Sequence, residues 1–144
     1  MDAVSRKLLF RIGEIGFSLD LDDLVEICEQ VVERIEPSMG DPEQDVVGSL
    51  LFRSSRVPVL SLSHRLGLPT ETLSSALILD DADGCRALLV SQVIGFVPED
   101  ELVEQDLPRL LQRDGWRCFN SFCLYEGQPF LKLRLSSCVV GGGG

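Results

Sequence analysis

The residues of this chain that could do chemistry are few, and their spacing limits what that chemistry would be. His64 is the single histidine among 144 residues. As a general base it would serve Ser61 or Ser63, but no acid adjoins it in sequence to fix its tautomer. It reads as a surface or capping residue. A His-based metal site would need ligands from elsewhere, because neither Cys-x-x-Cys nor His-x-x-x-His spacing occurs. Asp80, Asp81 and Asp83 beside Gly84 lack the spacing and terminal glutamate of a calcium loop, so they predict a solvated hairpin turn. The acids Glu99, Asp100, Glu101, Glu104 and Asp106 read as a solvated loop face rather than a cation site. No phosphate-cradling Gly-rich loop and no Gly-x-Ser-x-Gly elbow is present. The sequence therefore predicts no enzyme, no cofactor and no metal.

Five scattered cysteines argue against a disulfide framework. Cys118 and Cys123 are the close pair, and in one strand their odd separation puts them on opposite faces, about 16 Å apart. A disulfide needs Cα atoms within about 7 Å, so reduced, buried cysteines are expected.

The charges set the choice of partner. Thirteen Lys and Arg face 23 Asp and Glu, a formal net charge of −10. Such a surface repels nucleic-acid phosphates and anionic membranes and attracts a basic patch, or simply keeps the chain soluble. No signal peptide is visible in Met1–Phe10, and Ala87–Pro98 is shorter than the roughly 20 apolar residues a membrane span needs. A cytoplasmic location is expected. With 44% hydrophobic residues, the chain has material for one domain with a real core.

The elements that must position these residues read as short strands between turn signals. Lys7–Ile12 is a first strand, Gly13–Gly16 its turn, and Phe17, Leu19 and Leu21 alternate with Ser18 and Asp20 as a half-buried strand does. Asp22 and Asp23 mark a short turn. Val25, Ile27 and Val31 share one parity, so Val25–Val32 reads as a strand with Glu26 on the other face. Glu33–Asp45 reads as a surface loop. Val46–Phe52 and Val57–Leu62 are the arms of a hairpin turning at Arg53–Arg56, and Ser63–Gly67 is one helical turn. Ser75–Leu79 and Cys85–Val93 form a second hairpin across Asp80–Gly84. Glu99–Leu111 suits a loop or short helix. Trp116–Tyr125 and Pro129–Leu135 form a third hairpin. No strict internal repeat is visible. The expectation is all-β, a barrel or sandwich, over residues 1–140, with a glycine tail at 141–144.

Gly48–Leu68 (GSLLFRSSRVPVLSLSHRLGL) is the most specific stretch. It resembles the core signature of CheW-like domains: a glycine, an apolar strand ending in Arg-Gly, a Val-Pro-Val strand, then Leu and Arg-Leu-Gly-Leu. Gly48, Arg53, Val57, Pro58, Val59, Leu62, Arg65, Leu66, Gly67 and Leu68 fall on that pattern. Leu8–Ile27 is similar to the family's opening hairpin and Val-x-Glu-Ile strand. Ala87–Val97 is similar to its later strand, and Trp116–Leu135 to its closing hairpin. Ser54 departs from the family's glycine after the arginine, and Ser91 from its aspartate.

The resemblance implies two intertwined five-stranded SH3-like β-barrels with a few short helical turns and no catalysis. It implies an adaptor that binds the cytoplasmic tip of chemoreceptors in a groove and the regulatory domain of the chemotaxis histidine kinase at a barrel end. Barrel edges and apolar grooves are sticky, which leaves room for weak self-association. By that resemblance Glu26, Gly48, Arg53, Val57, Pro58 and Leu60 are the partner-binding or groove residues, Glu26 and Arg53 as an ion pair. A left-handed turn at Ser54 would carry strain. Pro58, unable to donate a ladder hydrogen bond, suggests an edge strand or a bulge. The alternatives are an SH3-like interaction scaffold in another intracellular complex, and a small enzyme or ligand-binding barrel using His64 and a cysteine.

Overall fold

The computed structural model describes residues 5–37, 45–68, 72–81, 84–107, 119 and 121–133. Within them the strands are β1 (Arg6–Ile12), β2 (Ile15–Asp20), β3 (Leu24–Cys28), β4 (Val46–Phe52), β5 (Ser55–Leu60), β6 (Ser75–Asp81), β7 (Gly84–Val90), β8 (Gln92–Pro98), β9 (Val103–Asp106), β10 (Ser121–Tyr125) and β11 (Gln128–Lys132). One turn of α-helix, α1 (Ser63–Leu66), and 3-10 turns at Leu21–Asp23, Val32–Arg34 and Glu99–Glu101 complete the described elements. Gly67, at φ 70°, ends α1, and the Leu68 N–H donates to the Ser63 carbonyl, as a glycine-terminated helix end should.

The strands form two sheets, ordered β8-β1-β2-β11-β10-β9 and β3-β6-β7-β5-β4. Each is built around a hairpin (β1–β2 or β6–β7) flanked in parallel by the last arm of a second hairpin, β11 on β2 and β5 on β7. The strand after each central hairpin leaves its own sheet. β3 crosses to pair with β6, and β8 crosses back to pair with β1. The exchange is reciprocal, and both crossing strands carry a one-residue bulge in the same place, at Val25 opposite Leu79–Ile78 and at Ile94 opposite Phe10–Leu9. The two sheets thus repeat one plan that the sequence alone does not display.

Packing follows the alternation of side chains along these strands. Leu8 and Phe10 of β1, Leu77 and Leu79 of β6, and Leu88 and Val90 of β7 face a shared core with Phe17, Leu60, Phe119 and Leu133. The opposite faces close two separate interiors. Ala76, Ile78, Ala87 and Leu89 join Cys28, Leu50, Val57 and Val59 in the second sheet. Leu9 joins Val97, Cys123 and Phe130 in the first. Strands buried on both faces read as continuous apolar runs, which is why Ser75–Leu79 and Ala87–Val90 lack polar alternation. In the second sheet Glu26 on edge strand β3 reaches Arg53 beyond edge strand β4, so the sheet curls to bring its two edges toward each other.

Several elements differ from the sequence reading. The strand expected over Val25–Val32 ends at Cys28, since the bulge turns Val25 outward and Gln30, at φ 52°, turns the chain. The arm expected over Cys85–Val93 ends at Val90, and the stretch Ala87–Val97 is two strands in two sheets with Ser91 as the break. Apart from Ser91 and Gln92 the stretch is apolar, and only its β7 side is buried, so no turn signal marked the break. Glu99–Leu111 holds strand β9, which makes the first sheet six-stranded. Its residues are all exposed and half of them acidic, so neither periodicity nor propensity announced it. Residues 38–44, 69–71, 82–83, 108–118, 120 and 134–144, with Asp83, Trp116, Cys118, Leu135 and the glycine tail, lie outside the described residues, as do the side chains of His64 and Asp81.

Candidate partner-binding site

The β4–β5 hairpin turns on two residues, Arg53 and Ser54, both left-handed at φ 48° and 67°, between the paired Phe52 and Ser55. Two consecutive positive φ values match the twist of flanking strands, and this is the turn that tight hairpins favour. The left-handed Ser54 expected from the sequence is therefore present. The turn aims Arg53 outward, where its guanidinium lies 4.8 Å from the centre of the Phe52 ring and donates to Glu26 Oε1 at 3.4 Å. Glu26 sits just past the β3 bulge, and its second oxygen accepts from the Cys28 thiol at 3.5 Å. Burial, followed by the nearby Glu26 carboxylate, pushes the Cys28 thiol above its ordinary range. The side chains of Arg53 and Glu26 are 67% and 47% exposed. A solvated pair of this kind is worth under about 1 kcal/mol, so the two residues are joined without being a structural anchor.

The other motif residues divide by depth. Val57 and Leu60 point inward, 4% and 1% exposed, in the second-barrel interior and the shared core respectively. Pro58 is exposed. Of the edge or bulge that the sequence reading offered, the edge is not found, because β5 lies between β4 and β7, whereas the β4–β5 pairing does shift register between Val46 and Gly48. Ser49, opposite Pro58, exchanges both backbone hydrogen bonds with Glu36, at 2.8 and 2.9 Å, so it turns its polar groups away from β5. The imide nitrogen of Pro58 then faces β7, whose pairing with β5 begins only at Val59. No donor is needed there. Gly48 serves the same contact, since a Cβ at that position would lie 2.5 Å from the Glu36 carbonyl oxygen.

Glu26 and Arg53 are thus paired at the surface and Pro58 is exposed on β5, while Val57 and Leu60 are buried and Gly48 lets β4 approach Glu36. The sequence reading missed two exposed apolar side chains beside them, Leu51 at 58% and Val25. Leu51 had no signal beyond its place in an apolar strand, and the parity of Val25 was hidden by the bulge. Arg65, also in the motif, pairs with the buried Asp45 at 2.7 Å and so holds α1 to the start of β4.

Among the described residues, no group of three or more His, Cys, Asp or Glu is placed to hold a metal ion. Ser61 and Ser63 are both buried, out of reach of a substrate. No helix among the described residues is long and apolar enough to cross a membrane.

Comparison with known proteins agrees with this fold. The CheW-like domain family matches residues 6–136. The crystal structure of the scaffolding protein TtCheW from Thermoanaerobacter tengcongensis superposes with a TM-score of 0.77 at 19% identity, covering 94% of this chain and 87% of that one. At that identity the likeness is one of fold. No curated protein sequence matches the chain.

Proposed function

Since this chain belongs to the CheW-like domain family, we propose that it is a non-catalytic chemotaxis adaptor that couples chemoreceptors to a CheA-type histidine kinase in the cytoplasm. The observation that carries this reading is the exposed Glu26–Arg53 pair at a barrel end, beside the solvent-facing Leu51. A pair worth so little to the fold is free to exchange partners at little cost, and apolar area beside opposed charges is the composition of a protein interface. Glu26, Arg53 and Pro58 would meet the partner directly, with Gly48, Val57 and Leu60 shaping the surface. A chain with a formal charge of −10 would be steered toward a basic partner face, and that steering weakens with salt.

The test is calorimetric titration against the kinase's regulatory domain and, separately, a receptor cytoplasmic tip. Arg53→Glu should weaken one of these at least about tenfold while the far-ultraviolet circular dichroism stays that of a β protein. A double exchange, Glu26→Arg with Arg53→Glu, restores the internal pair but inverts the surface and should bind no better. Unchanged binding by both variants would remove this site from the reading. Binding of neither partner by the wild type would leave the family and fold in place and favour a scaffold in another intracellular complex.

A further inference from the structure

The repeat in the fold allows the two barrel interiors to be compared position by position. Matching β1–β2 onto β6–β7 by their turn-flanking pairs, and β11 onto β5 by their parallel registers, sets Lys7 on Ala76, Ser18 on Ala87, and Lys132 on Val59. The hairpin pairings then set Cys123 on Leu50. The second barrel fills these four places with buried apolar side chains. The first fills them with two ammonium groups, a hydroxyl and a thiol, and holds a cavity of about 200 Å³. The fold therefore does not require these polar groups, since its other half does without them. Keeping them carries a desolvation cost, for Lys7 is nearly buried.

We propose that this cavity is a binding site for a small zwitterion of α-amino-acid size. Its charges occur as opposed pairs: Lys7 Nζ is 3.3 Å from Glu99 Oε1, and Lys132 Nζ is 3.3 Å from Glu104 Oε1. A simple anion taking a lysine would displace it from its carboxylate, and a simple cation taking Glu104 would displace that residue from Lys132. A zwitterion replaces each pair with another and leaves no charge uncompensated. Lys7 also keeps Asp20 as a partner, so Glu99 can be released to a ligand ammonium without exposing Lys7 to an unpaired state. Glu104 and Glu99 are about half exposed and form the solvent-facing half of the site. Leu102 and Phe122 supply an apolar wall for a short side chain. The volume is below the roughly 300–1,000 Å³ of pockets for drug-sized ligands, which fixes the size class.

The experiment is a heteronuclear NMR titration of the full chain with L-alanine, L-valine and L-threonine, set against isovalerate and isobutylamine, which each lack one charge of valine. At least one amino acid should give saturable shifts at the amides of residues 7, 18, 104, 123 and 132, with isovalerate and isobutylamine at least about tenfold weaker. Lys132→Val and Cys123→Leu, which copy Val59 and Leu50 of the other barrel, should each weaken that binding at least about tenfold while keeping the wild-type spectrum elsewhere. Absence of saturable shifts with all three amino acids, equal binding by isovalerate, or full binding by both variants would overturn the proposal.

Discussion

At residue scale, two side chains occupy positions whose cost can be measured. Ser54 is left-handed at φ 67°, and the equivalent place in the β10–β11 turn, φ 77°, is filled by Gly127. A side chain in that region carries a penalty of about 1 kcal/mol or more, which glycine does not pay. Ser54→Gly should therefore raise stability by about 1 kcal/mol, read as a higher urea midpoint at unchanged slope. Lys7 is the second case. Burial pulls its ammonium pKa down, but hydrogen bonds and charge from Asp20 and Glu99 outweigh this and hold it above the ordinary 10.5. The resulting stabilisation is complete below pH 10.5 and lost as pH rises through the raised folded value. The stability gap between wild type and Lys7→Met should accordingly narrow in alkaline denaturation series above pH 10.5. The motif made Glu26 and Arg53 legible in the sequence. Lys7 was not, because its partners lie 13 and 92 positions away and a lysine opening a strand looks like any solvated cation.

At element scale, a strand's neighbours decide more than its own residues. Pro58 looked like an edge marker, yet the interior strand β5 tolerates it because Ser49 turns toward Glu36 and the β7 pairing starts one residue later. Gly48 is the other half of that arrangement. Gly48→Ala would drive a methyl group into the Glu36 carbonyl and should cost about 1–3 kcal/mol, seen as a lower midpoint in urea denaturation. Hairpins were legible because each carries its own turn chemistry, from Asp80–Gly84 to Glu126-Gly127. The crossing strands were not, because bulges at Val25 and Ile94 shift the parity and Ser91-Gln92 is only a short polar interruption of an otherwise apolar stretch. At that break Ser91 Oγ accepts from the Gly13 N–H at 2.8 Å, so the serine that departs from the family's aspartate ties the crossover to the first hairpin turn.

At the scale of the whole molecule, the shared core binds the two barrels into one cooperative unit. Phe17 sits at its centre, 5.6 Å from Phe10 and 5.5 Å from Phe119 by ring centroids. Phe17→Ala should cost about 3–5 kcal/mol. It should lower hydrogen-exchange protection of β6 in the second sheet as much as that of β10 in the first, because neither sheet can open while β3 and β8 remain exchanged. Protection lost in one sheet alone would show that the barrels unfold separately.

That exchange also has a meaning in terms of descent. Two identical units trading one strand is how a domain-swapped homodimer is built, and here the same plan is written twice within a single chain. A homodimer is bound by symmetry to present every surface and every interior in duplicate. Tandem fusion lifts that constraint, and each half can then drift from the other while the traded strands keep them locked. In this chain the two halves differ in that way: one interior is apolar where the other admits two lysines, and Arg53-Ser54 closes one hairpin where Glu126-Gly127 closes its counterpart.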